Sequence, residues 1–128
     1  MRTRHLNGLL IAAALFFSTA PLYAQLQQQD VAKLKADARK VVGAIGADKD
    51  KTKTYCQILD LTEQAEEAKQ EKNSKKAMTL SQQIDVMQKK LGPDFVAVVH
   101  ALDDINPDSS DGQELSSIFG SLDQSCEE

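Results

Sequence analysis

The chain has 128 residues, 15 of them basic and 19 acidic, for a net charge of −4. It holds four phenylalanines, two tyrosines, no tryptophan, two histidines and two cysteines. Such a composition lacks the basic surface and stacking rings of a nucleic-acid binder, and the length suits one domain with a modest core.

The first segment carries Arg2 and Arg4 and then runs without charge from Leu6 to Gln29. Its apolar stretch, Leu9 to Phe17, is far shorter than the roughly 20 residues a spanning helix needs. A basic start, a short apolar centre and a small residue at a cut describe a secretory signal. Residues 1–24 are therefore expected to be a cleavable signal peptide, with the cut after Ala24 in the run Pro21-Leu22-Tyr23-Ala24. No cysteine follows the cut, so a lipid anchor is not indicated, and no membrane insertion is expected of residues 25–128. Removing the signal takes Arg2 and Arg4 but no acid: the basic count falls from 15 to 13 and the charge moves from −4 to −6. His100 becomes the one histidine, with Tyr55, Phe95 and Phe119 the remaining aromatics.

Five helical segments follow, and none shows a sustained period of two. In the first, about 27–45, Val31, Leu34, Ala38, Val41 and Ile45 recur at three- and four-residue steps on one stripe. The polar run Ala47 to Lys53 reads as a loop. The second, about 52–72, has Tyr55, Ile58, Leu59, Thr62, Ala65 and Lys69 on its face. Beyond Leu61 it becomes highly charged, so its far half is expected to project past the core into solvent. Asn73 and Ser74 mark a break, with Ser74 as the expected cap of the next helix. The third, about 75–91, repeats the spacing with Ala77, Leu80, Ile84, Met87 and Leu91. The short link makes residues 52–91 an antiparallel helical hairpin. Gly92 supplies a left-handed stop, and Pro93 starts the next element.

The fourth segment, about 94–103, is apolar over most of its circumference and is expected to be the buried centre. After the turn Asn106 to Ser110 comes the last helix, about 111–125. Leu115, Ile118, Phe119, Leu122 and Cys126 share its face, and Asp111 with Glu114 resembles a capping box. The expected fold is all-α: a small bundle of about five helices in one domain, residues 25–128, closed by one disulfide.

In an oxidising compartment an even pair of cysteines reads as a bond between Cys56 and Cys126. Closing a loop of this size stabilises by roughly 4 kcal/mol in the chain-entropy model. The bond would tie the end of the last helix to the first turns of the second.

Charge is unevenly placed. Residues 91–128 hold nine acids and no Lys or Arg, whereas residues 25–90 hold 13 bases and 10 acids. The plain reading is that this acidic third docks on basic helices of the same domain. The sharper reading is that it binds a cation or a basic partner.

Candidate chemistry is sparse. Asp104, Asn106 and Asp108 occupy the first three ligand positions of an EF-hand-like calcium loop. The sixth position is Ser109 where glycine is needed, Gly112 comes late, and Glu114 closes one residue early. A turn followed by a helix cap explains the same residues without a metal, and they are weak ligand candidates only. His100, with Asp103 and Asp104 beyond it, reads as a helix-surface histidine paired with Asp104. One histidine supplies too few ligands for a transition-metal site. No serine sits in a glycine-flanked elbow, and there is no phosphate-cradling glycine loop. No enzyme and no cofactor is expected.

Thr54-Tyr55-Cys56, then Ala77 to Asp85, then Leu91-Gly92-Pro93-Asp94-Phe95 and the terminal Cys126 resemble uncharacterised small exported helical proteins of proteobacteria. The resemblance implies a periplasmic or secreted protein and no particular activity. Shortness, helices and a single disulfide are also features of the acid-stress chaperones of the periplasm, though here the second cysteine lies at the extreme C-terminus. Leu61-Thr62-Glu63-Gln64 departs by one position from the Leu-Thr-x-x-Gln motif of envelope-stress helical proteins. The leading expectation is a non-enzymatic interaction or stress-associated protein, its partner another envelope protein. The alternatives are a cation binder using the acidic third and an acid-activated chaperone. Oligomeric state is not legible in the sequence.

Overall fold

Twenty-five residues without an internal proline begin the fold as one long helix, α1 (Leu22–Gly46). The computed structural model describes residues 22–127. The expected signal therefore falls largely outside the described residues, and the expected cut after Ala24 lies in the first turn of α1. Four helices follow: α2 (Lys49–Gln70), α3 (Ser74–Leu91), α4 (Pro93–Leu102) and α5 (Ser110–Ser125). The all-α bundle with one disulfide matches expectation.

The boundaries show how local chemistry acts. The polar run expected as a loop to Lys53 is mostly the first turn of α2. Asp48 has extended backbone, and its carboxylate accepts from the Asp50 and Lys51 N–H groups at 2.9 and 3.1 Å. That cap satisfies donors a helix start leaves open. Thr52 Oγ1 donates to the Ile45 carbonyl at 2.9 Å, tying α2 to the end of α1. The cap of α3 is Asn73, not Ser74: its side chain accepts from Lys76 N at 3.1 Å. Lys72 turns the corner with φ 58°, a left-handed conformation that more often falls to glycine. Gly92 ends α3 with φ 110° and ψ 166°. This is not the left-handed cap expected but a region that essentially only glycine enters.

The main core gathers Leu34, Ala38, Val41 and Ile45 of α1 with Tyr55, Ile58, Leu91, Phe95, Val98, Leu115 and Leu122. The α1 stripe is as the periodicity predicts. Helix α4 departs from its expected central place: Phe95 and Val98 are buried, but Val96 is half-buried and Ala97 exposed. Ten residues packed mainly against α1 and α3 are not covered on every side.

Helices α2 and α3 pack along their length, and beyond the main core they carry a second one. Ala65, Ala68, Ala77 and Leu80 are buried there, with Leu61 and Ile84 partly so. The far half of α2 thus projects as expected, but as one arm of a packed pair. Its inward stripe includes Ala68, at 0% exposure, whereas Thr62 and Lys69 are exposed. Small side chains let the two backbones come close, and burying them stabilises by roughly 25 cal/mol per Å².

Candidate interaction surface

On one side of the hairpin, rows from both helices border a groove of about 590 Å³. Leu61, Val86 and Met87 supply its apolar floor, and Gln57, Gln64, Gln82 and Gln83 are among its rim residues. Val86 is 56% exposed and Met78, further along α3, is 60% exposed; these are the exposed large hydrophobics among the described residues. Scattered single apolar residues are ordinary, but here one lies on a groove floor between uncharged amides. No ion pair crosses from α2 to α3 among the described residues. The charges of the hairpin therefore face outward.

A larger groove of about 680 Å³ lies between α1, α4 and the α4–α5 turn, over Val31, Leu34, Ala101 and Ile105. Part of its polar rim is already engaged within the chain. Asn106 Oδ1 accepts from Asp108 N at 2.9 Å, Ser109 Oγ donates to the Asn106 carbonyl at 2.6 Å, and Asp111 pairs with Lys35 at 2.7 Å.

That turn is where the weak calcium candidates sit. Asp104, Asn106 and Asp108 are all exposed. Among the described residues no group of three His, Cys, Asp or Glu side chains stands close enough to hold a metal ion. Gly112 has another role: a Cβ there would meet Pro107 Cα and the Pro107 carbonyl at 2.8 Å. The late glycine thus lets α5 approach the turn. The expected capping box is not formed. Ser109 Oγ accepts from Gly112 N at 3.0 Å and caps α5, which leaves Asp111 and Glu114 free to face α1.

There they meet bases. Lys35 Nζ lies 2.7 Å from Asp111 and 2.5 Å from Glu114, and Arg39 lies 2.7 Å from Glu114. Lys40 stands 3.8 Å from Asp94 of α4. The acidic third does dock on a basic helix of the same chain. The hydrogen bonds that Lys35 donates, to Asp111 first and then to Glu114, raise its pKa. The bond from Lys35 lowers that of Glu114, with a further contribution from Arg39. His100 is exposed near the end of α4. The expected pair with Asp104 does not form: no ion pair among the described residues includes His100.

Cys56, in the second turn of α2, bonds Cys126 at the end of α5 across a Cα–Cα distance of 5.4 Å. Tyr55 beside it donates to Asp123 at 2.7 Å, with the Phe95 ring edge-on at 6.3 Å and the Phe119 ring stacked at 6.5 Å. All three aromatics beyond the expected signal thus form one cluster. Periodicity put Tyr55 on the core face but gave no sign of its hydroxyl's partner, because Asp123 lies 68 residues away. The hairpin groove was likewise not singled out. The missed signal was Val86, an apolar residue off the Ala77–Leu80–Ile84 stripe.

Among the described residues no helix is long and apolar enough to cross a membrane. Comparison with protein-family models, curated proteins and solved structures found no match.

Proposed function

We propose that this is an exported, non-enzymatic interaction protein that works in the periplasm or outside the cell and presents the α2–α3 hairpin to a partner. The observation that carries the reading is the open apolar floor of the hairpin groove, with Val86 56% exposed. Export is supported by the basic-apolar N-terminal pattern and by the Cys56–Cys126 bond, since disulfides persist in oxidising compartments. The small number of groups fit for catalysis supports a binding role. A chain running from Gln25, used as bait in an envelope extract, tests it beside a Val86→Lys variant. The reading expects capture by the parent chain and its loss in the variant. Equal capture by both, or turnover of a small substrate, contradicts it.

The ion pairs from α1 to Asp94, Asp111 and Glu114 favour a second reading, an acid-loosened chaperone. Protonating Glu114, whose pKa the Lys35 bond lowers, removes an attraction between α5 and α1. Suppression of client aggregation at low pH but not at neutral pH is the expected result; none at either pH dismisses it.

A further inference from the structure

The groove rests between two helices of opposite charge. From Gln57 to Glu71, five acids stand against Lys69 alone, whereas Ser74–Leu91 carries four lysines against Asp85. These charges do not neutralise each other across the hairpin, because no α2–α3 ion pair forms among the described residues. They continue the groove's two walls instead. On α2 the wall runs Gln57, Asp60, Gln64, Glu67 and Glu71; on α3 it runs Lys75, Thr79, Gln83 and, past Val86 of the floor, Lys90. Each row advances by three or four residues, so it keeps to one face, and every member of both rows is exposed.

We infer that the occupant of this groove is the same groove on a second copy of the chain, an inference that rests on the interaction reading above. A two-fold interface must be complementary to itself, and three features of this face are. Its floor is apolar and can meet its own image. Its rim is rich in glutamine, whose amide both donates and accepts, so Gln64 can pair with Gln82 of a like surface. Its walls are opposite in sign. A two-fold axis parallel to the helices sets α2 of one copy on α3 of the other with the tips level. Glu67 and Glu71 then meet Lys75 and Lys76, twice over. The alternative, like helices on like helices and reversed, sets Lys75 against Lys90. The charge pattern disfavours that arrangement, so the two hairpins form a four-helix contact with α2 on α3.

Sedimentation of the chain from Gln25 onward tests the assignment, with Glu67→Lys/Glu71→Lys and Lys75→Glu/Lys76→Glu as paired variants. The parent is expected to show a concentration-dependent rise to twice the chain mass. Each variant alone should lose that association, and an equimolar mixture should regain it, because both contacts in the mixed pair are attractive. Val86→Lys should weaken association at least tenfold. All these positions are exposed, and matching helical circular dichroism establishes that the variants fold. Hydrogen exchange on the parent needs no variant: protection at Gln82–Lys90 should grow with concentration. A single-chain mass up to about 1 mM, the weak limit of specific association, overturns the inference. So does association that the variants leave intact. A chain that stays single yet loses capture of another envelope protein on Val86→Lys overturns self-association while leaving the interaction reading in place.

Discussion

Tyr55 donates its hydroxyl to the Asp123 carboxylate at 2.7 Å, one residue from Cys56 and three from Cys126. The hydrogen bond and the disulfide join the same two helix turns, α2 near its start and α5 at its end. Helix α5 otherwise rests mainly on α1, and its contact with α2 is slight. The two links thus hold the hairpin to the remainder of the bundle on that side.

Replacing Tyr55 with Phe keeps the ring between Phe95 and Phe119 and removes the bond. Asp123 is exposed and regains water, so the expected loss is about 1 kcal/mol, the ordinary net value of a hydrogen bond. Burial first, and then the bond to Asp123, raise the Tyr55 pKa above its ordinary 10.0. The neutral phenol therefore contributes stability that is full below pH 10 and is lost as pH rises toward the folded value. Urea midpoints of the parent should fall above pH 10, and those of Tyr55→Phe should fall less.

The disulfide closes 70 residues of chain. Cys56→Ser/Cys126→Ser should lose roughly 4 kcal/mol at most, since the entropy model tends to overstate the gain. Urea unfolding with and without reductant measures it. Hydrogen exchange should show the last turn of α5 opening more than the hairpin tip, where Ala65, Ala68, Ala77 and Leu80 form a separate core. Equal loosening at both ends would mean that the bond supports the fold as a whole.

Two glycines are expected to resist alanine for different reasons. At Gly92, φ 110° is backbone that a Cβ strains, costing about 1–3 kcal/mol. At Gly112 the obstacle is contact, since a Cβ would meet Pro107 at 2.8 Å. The Asn106–Pro107 turn must then move, with a loss of about 1–3 kcal/mol. Gly43, where a Cβ meets nothing within 4 Å, should gain rather than lose on the same change, because alanine is the better helix former. Thermal unfolding of the three variants distinguishes strain, collision and propensity.

These contrasts show what could be read in advance. The stripes of α1, α3 and α5 were legible because burial follows a 3.6-residue period, and the cysteines were legible because two in a chain expected to be exported suggest a bond. The caps at Asn73 and Ser109 were less so: neighbouring Ser, Asn and Asp side chains all have capping chemistry, and backbone geometry selects among them. Gly112 was misplaced for a related reason, since its use depends on Pro107 lying against it. The hairpin groove was hidden because polar helix positions look alike until two helices are set side by side.

The pairing of Glu114 with Lys35 and Arg39 gives stability a defined acid limb. The Glu114 pKa is lowered from 4.5, so its contribution is full above that unfolded value and is lost as pH falls through the folded one. The raised Lys35 pKa acts at the other end, with stability full below 10.5 and lost as pH rises further. Glu114→Gln should lower the melting temperature at neutral pH and flatten its decline below pH 4.5. An unchanged acid limb would show that the docking of α5 on α1 does not depend on this pair.

In the proposed function, the exposed face of the α2–α3 hairpin is where the protein meets its partner. Site-specific photo-crosslinking in the envelope tests it most directly, with the photoreactive residue placed at Gln64 or Gln83 in the groove and at Gln113 on α5 as the control. All three positions are exposed. Adducts of defined mass are expected from the two groove positions and none from Gln113. Adducts from Gln113 alone, or none from any position, would contradict it.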